Sequence, residues 1–224
     1  MSAYDDDLRY REEEALERFL QEQLREMAEA PVFAYLARFG DAIEERVQLC
    51  AIEAAQLRDA NFFGAALVRS ATGIEIAIRF FLVQPLVKGA FLWDEWASLL
   101  SGKVLKGATA KDREMLPAIL RNWGIDITQI RLADGTKMWE RIRNEVWPRR
   151  NEYVHTGAIV TKAEAGLAAD CLDTLLRQTV SPIAIRLGFT REQTRCWSIV
   201  VALRHPELNP PRRYETAAPS WKLD

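Results

Sequence analysis

An all-α fold is what this chain predicts, on three observations. Apolar residues recur every three to four positions through most of its length, the spacing of amphipathic helices. Helix starts are marked: Asp41 with Glu44, and Thr161 with Glu164, stand three apart as capping boxes do. Period-two alternation, the mark of a half-buried strand, is weak and confined to the stretch from Gly124 to Gly135.

In chain order, residues 8–29 place Leu16, Phe19, Leu20, Leu24 and Met27 on one stripe. Pro31 is expected to break that helix. A short apolar helix from Val32 to Phe39 follows, with Gly40 as its C′ residue. Asp41 then starts a helix carrying Ile43, Val47, Cys50, Ala51, Ala54 and Leu57. Residues 62–82, with Ala66, Leu67, Ile74, Ile78 and Phe81, make a strongly apolar central helix that Pro85 and Gly89 end or kink. Shorter helices are expected over 92–106 and 111–122, and a connector over 124–135. Residues 136–147 form a helix with Met138, Ile142 and Val146 on one face. Pro148 disfavours helical geometry at Trp147, so a bend is expected there. The capping box at Thr161 opens a helix reaching about Val180, which Pro182 kinks and Gly188 ends. The organisation is an N-terminal helical extension (1–60), a helical domain (61–188) and a partly irregular tail (189–224) that holds Pro206, Pro210, Pro211 and Pro219. No repeat, low-complexity tract or sustained heptad interrupts this pattern.

The bulk numbers are those of an ordinary globular chain: 224 residues, 49% hydrophobic, 28% charged, formal net charge −2. A net charge that small gives no global signature for nucleic acid, so any such site must be a local patch. Three widely spaced cysteines, Cys50, Cys171 and Cys196, argue against a disulfide framework and for a reducing cytoplasm. Only two histidines occur, His155 and His205, far apart; no metal site and no cofactor are expected. No Walker-type or dinucleotide pattern of glycines is present. The acidic N-terminus lacks the apolar region of a secretory signal, and the longest apolar run, Ile74 to Leu86, contains Glu75, Arg79 and Gln84. No membrane association is expected.

One segment concentrates chemistry: Arg149-Arg150-Asn151-Glu152-Tyr153-Val154-His155-Thr156-Gly157. Histidine titrates nearest neutrality and suits proton transfer. Arginine forks onto phosphate. Asn151 and His155 are four apart and share a helix face; Arg150 is five from His155, about 140° round. One helix would not aim both at one phosphate. Two copies facing across a twofold axis would, which points to a homodimer with a composite site. From Lys137 to Arg150 the chain carries five basic residues against Glu140 and Glu145, a local excess of three that suits RNA phosphates or a solvated helix face. His155 is equally readable as a basic residue set against the helix macrodipole just before Gly157. Glu75 and Arg79 read as an i,i+4 pair on the central helix. The tryptophans read as packing residues, and base stacking by Trp147 or Tyr153 is the less favoured use of the two rings that flank the motif.

The run Arg150-Asn151-x-x-x-His155, after a helix with Trp139 and Pro148 and before Gly157 and a capped Ala/Leu helix, resembles the HEPN superfamily. Its signature is an arginine, four to six residues and a histidine, with asparagine often following the arginine. The resemblance covers roughly residues 60–188. It implies a HEPN-like helical bundle and a metal-independent endoribonuclease, dimeric, of the kind found in toxin–antitoxin and antiphage defence systems, with an RNA substrate. Carried over by residue, the catalytic positions are Arg150, Asn151 and His155. Arg149, Glu75 and Tyr153 are supporting candidates, and either arginine satisfies the spacing. Gly157 stands where some toxins of the family carry a tyrosine that an antitoxin modifies, so the resemblance does not extend to that regulation. An antitoxin or a defence complex is the partner the resemblance implies; the alternative is a non-catalytic HEPN-like module that binds a nucleotide or a protein within a larger defence or regulatory complex.

Overall fold

The apolar stripe of the N-terminal segment does not stop where proline and glycine suggest. Val32, Phe33, Leu36, Ile43, Val47, Cys50 and Ala54 are all buried, and they continue at helical spacing on both sides of Gly40. In the computed structural model, which describes residues 3–85, 110–121, 123–187, 189–192 and 195–199, they belong to one helix, α1 (Ala3–Asp59), with Pro31 inside it. The expected break at Pro31 and the helix ends at Gly40 and Asp41 are therefore corrected. Burying Val32, Phe33 and Leu36 is worth about 1.5–3 kcal/mol each, against about 3 kcal/mol for an interior proline. Glu44 lies inside this helix, not at its start, and accepts a hydrogen bond from Gln48.

Asn61, at φ 63, turns the chain into α2 (Phe63–Ile76). Then come α3 (Ala110–Arg121), α4 (Met138–Arg141), α5 (Trp147–Thr156), α6 (Lys162–Leu175) and α7 (Ser181–Arg186). The helix expected over 92–106 lies outside the described residues. An antiparallel hairpin follows, β1 (Phe189–Glu192) with β2 (Arg195–Ile199), pairing Phe189 with Ile199. The helical architecture is as predicted, and the hairpin is an addition to the all-α reading. Phe189 stacks on Phe33 of α1 at 5.0 Å between ring centroids, which ties the hairpin to the core. No helix among the described residues is long and apolar enough to cross a membrane.

α2 is the central element, packed between α1 and α6. The contact is tightest at Gly73, where an added Cβ would stand 2.8 Å from Leu172 Cδ2 of α6 and 3.2 Å from Cys50 Cβ of α1. α1 from Val32 onward shares one hydrophobic cluster with α2, α6 and the motif-bearing α4–α5 rod. Trp139 and Trp147 meet edge to face at 5.7 Å inside that rod. Cys171 is fully buried, and burial pushes its thiol up to about 12.

Among the described residues, three helices widen just ahead of a proline. π-helical turns span Ala77–Val83, Ile142–Val146 and Leu176–Val180, and each ends two residues before a proline: Pro85, Pro148 and Pro182. In each, the backbone N–H just after the turn donates five residues back: Gln84 to Arg79, Trp147 to Ile142 and Ser181 to Leu176. The wider turn carries aside the carbonyl that the proline ring would strike. Trp147 accordingly keeps helical angles (φ −68, ψ −46), and the bend expected at Pro148 is absent. α5 continues the axis of α4 instead of starting afresh.

α6 begins at the predicted capping box. Thr161 Oγ1 accepts from Glu164 N at 3.3 Å, and the Glu164 carboxylate accepts from Thr161 N at 2.7 Å. Thr161→Ala is expected to lower unfolding stability by about 1 kcal/mol in urea titration. Gly73→Val is expected to cost about 1–3 kcal/mol by overpacking, read in the same titration; unchanged stability would contradict the close three-helix contact.

Candidate functional site

α5 is short, ten residues from Trp147 to Thr156, and none of its residues is fully buried. It ends because Gly157 takes a left-handed conformation (φ 71) and donates its N–H to Tyr153 O at 2.9 Å. One edge packs on α2: the Tyr153 ring occupies the space a side chain at Gly64 would need. Tyr153 is thus first a packing residue. The opposite side carries Asn151, Glu152 and His155, all exposed.

The two arginines have different neighbours. Arg149 is held on three sides: Nη1 donates to Glu152 at 2.6 Å, Nε pairs with Glu164 at 2.7 Å, and Nη2 donates to Ile159 O. It fastens α5, the 157–161 loop and the start of α6 together. Arg150 turns the other way. Its Nη1 donates to Asn151 Oδ1 at 2.9 Å, and its Nη2 stands 3.4 Å from the Glu75 carboxylate of α2. The structure therefore brings Arg150, Asn151 and Glu75 into one chain of contacts. Glu75 faces Arg150, while the Arg79 guanidinium lies 5.4 Å over the Phe80 ring. The i,i+4 reading of Glu75 with Arg79 gives way to a long-range contact between α2 and α5.

His155 is not drawn into that network: it is exposed on the last turn of α5, with no hydrogen-bond partner among the described residues. The helix is regular between Arg150 and His155, so the two side chains leave it about 140° apart. Within one copy they do not converge.

The basic excess counted along the chain is offset in space. Lys137 pairs with Glu140, Arg141 with Glu145, Arg149 with Glu152 and Glu164, and Arg150 with Glu75. The three carboxylates outside the counted stretch, Glu75, Glu152 and Glu164, cancel the surplus of three. An anion reaching Arg150 has to compete with Glu75.

The two key carboxylates titrate in opposite directions. Burial pushes the Glu75 carboxyl above its ordinary value, and the Arg150 charge pulls it part of the way back. Its contribution to stability is complete below the unfolded value near 4.5 and is lost as pH rises through the raised folded value. Glu164 is held below its ordinary value, by the Thr161 backbone N–H first, then by the Thr161 hydroxyl and Arg149. Its contribution is present above about 4.5 and is lost as pH falls through the lowered folded value.

No family model, no curated protein and no solved structure matches this chain.

Arg150→Ala is expected to move the Glu75 carboxyl further up, because it removes the one charge that lowers it. A side-chain carboxyl NMR titration of wild type and variant measures this. An unshifted Glu75 would show that the two groups do not interact in solution.

Proposed function

We propose that the chain is a metal-independent endoribonuclease of HEPN type, working as a homodimer, with a role as a toxin or antiphage-defence effector. The observation that carries this is the arrangement on α5. Arg150 is oriented by Asn151 and Glu75, and His155 stands free to exchange a proton on the same short helix.

In this reading His155 takes the proton from a ribose 2′-OH. The 2′-oxygen attacks the adjacent phosphorus, the P–O5′ bond breaks, and the 5′-oxygen leaves with a proton handed back by His155 or taken from water. The products are a 2′,3′-cyclic phosphate and a 5′-OH end. Arg150 meets the charge that builds on the phosphorane-like transition state. Glu75 and Asn151 act through Arg150 and are positioning residues. Arg149, fully committed to Glu152, Glu164 and Ile159, is assigned to holding the helix in place. The wide angle between Arg150 and His155 around α5 is the reason for two copies, one supplying the arginine and the other the histidine of each site.

One observation favours a second reading, a non-catalytic helical module that binds nucleotide or protein. Four of the five basic side chains of the patch are already paired with carboxylates, which weakens the attraction for a polyanion.

Cleavage of total RNA in EDTA by wild-type protein, beside His155→Ala and Arg150→Ala, decides between them. The expected loss is about 10²- to 10⁴-fold for the histidine and about 10²- to 10³-fold for the arginine. Mixing the two inactive variants tests the composite site. A mixed dimer contains one site with both groups, so activity returns on mixing. No recovery, or a monomer at micromolar concentration in sedimentation, removes the composite site. No cleavage of diverse RNAs by wild type removes the enzyme.

A further inference from the structure

A groove of about 690 Å³ runs between the end of α1, the first turns of α2 and the motif helix α5. That size lies among clefts that take small ligands, about 300–1,000 Å³. Its walls are Leu57, Phe62, Ala65, Val68, Tyr153 and Val154. Phe62 follows the left-handed turn at Asn61 and is 64% exposed, so a large aromatic ring stands in water where it lines the groove. Val154 is 53% exposed and sits four residues after Arg150, so the groove and the motif arginine share one face of α5. The walls also include one charged pair, Arg69 with Glu53.

We infer that this groove is a nucleobase subsite, taking an unpaired base of a single-stranded RNA beside the phosphate that meets Arg150. The inference rests on the ribonuclease reading for the presence of that phosphate at Arg150. The chemistry of the walls selects the occupant. Phe62 offers a ring face for stacking, the general means by which proteins hold splayed bases. The Arg69–Glu53 pair offers donors and acceptors side by side, which a base edge can satisfy. A second copy of this chain pressing an apolar face into the groove would strip water from that pair and return nothing. A duplex keeps its bases stacked and paired, so the groove selects single strands. The polyanion and the base then match two adjoining surfaces: a guanidinium for the one, an apolar slot with a polar wall for the other.

The test is fluorescence anisotropy in EDTA, on folded full-length protein checked by circular dichroism. The probes are a mixed-sequence single-stranded RNA decamer and an abasic sugar-phosphate chain of equal length. Phe62→Ala is expected to weaken decamer binding roughly 5- to 150-fold, the range for loss of one base–aromatic stack, and to leave abasic binding unchanged. Ala65→Phe, which fills the groove, is expected to give the same base-dependent loss. Equal binding by wild type and both variants overturns the subsite, as does an equal loss on the abasic chain. A wild type that binds no single-stranded RNA overturns it too. If Phe62→Ala instead changes the sedimenting species without a base-dependent loss, the face belongs to a second copy and the inference fails. Base-dependent binding without any cleavage leaves the subsite standing and removes the ribonuclease reading. Cleavage by wild type with Phe62→Ala unaffected removes the subsite alone.

Discussion

The close approach of three helices at Gly73 is the constraint on which the rest of the molecule depends. With hydrogen in place of a side chain there, α2 lies against Cys50 of α1 on one side and Leu172 of α6 on the other. Every larger residue would push one helix outward. The consequence appears two residues on, where Glu75 is set at the depth and height that meets Arg150. The same device recurs at Gly64, which admits the Tyr153 ring and fixes the other end of α5 against α2. Two glycines on one helix therefore set the distance from the core to the motif helix at two points, and with it the direction in which Arg150 and His155 leave the surface.

Around that frame the charges divide their work. Arg149 belongs to the scaffold: its partners lie on α5, in the following loop and on α6, and the Thr161 cap that holds Glu164 also holds Arg149 through it. Arg150 turns to α2 instead. Its partner Glu75 is half-buried, and its carboxyl is raised by that burial and lowered part of the way back by the Arg150 charge. Two adjacent arginines thus tie α5 to two different helices, Arg149 to α6 and Arg150 to α2, according to which way each side chain turns.

Much of this was legible in the sequence. The capping box at Thr161, the glycine at Gly157 and the apolar spacing from Val32 onward are local signals, encoded within one or two turns, and the structure shows each of them, while the side chains of the stripe expected over residues 8–29 lie outside the described residues. The divergence of Arg150 and His155 round one helix was readable from their spacing, and the regular α5 keeps it. What the sequence concealed was non-local. Whether Pro31 ends a helix depends on what Val32, Phe33 and Leu36 bury against, which spacing along the chain does not reveal. The partner of Glu75 lies far along the chain on another helix, and no periodicity could choose it over Arg79. Counting charges from Lys137 to Arg150 gave a positive stretch, because the offsetting carboxylates come from other turns and other helices. The β1–β2 hairpin is short and lies next to a long proline-bearing tail, so its alternation was too brief to stand out.

The widened turns before Pro85, Pro148 and Pro182 carry a consequence for how this chain tolerates change in length. A π turn holds one residue more than the α-helix around it, and each residue added or removed rotates everything downstream by about 100°. Ile142–Val146 lies directly upstream of α5, so its extra residue sets the phase of the motif helix. Removing one residue there would swing Arg150 away from Glu75 and carry the exposed Asn151–His155 face round toward a different neighbour, with every motif residue still present. The site is therefore encoded as much by a residue count as by residue identity. A related chain that keeps Arg, Asn and His but lacks this widening would hold the same letters aimed elsewhere.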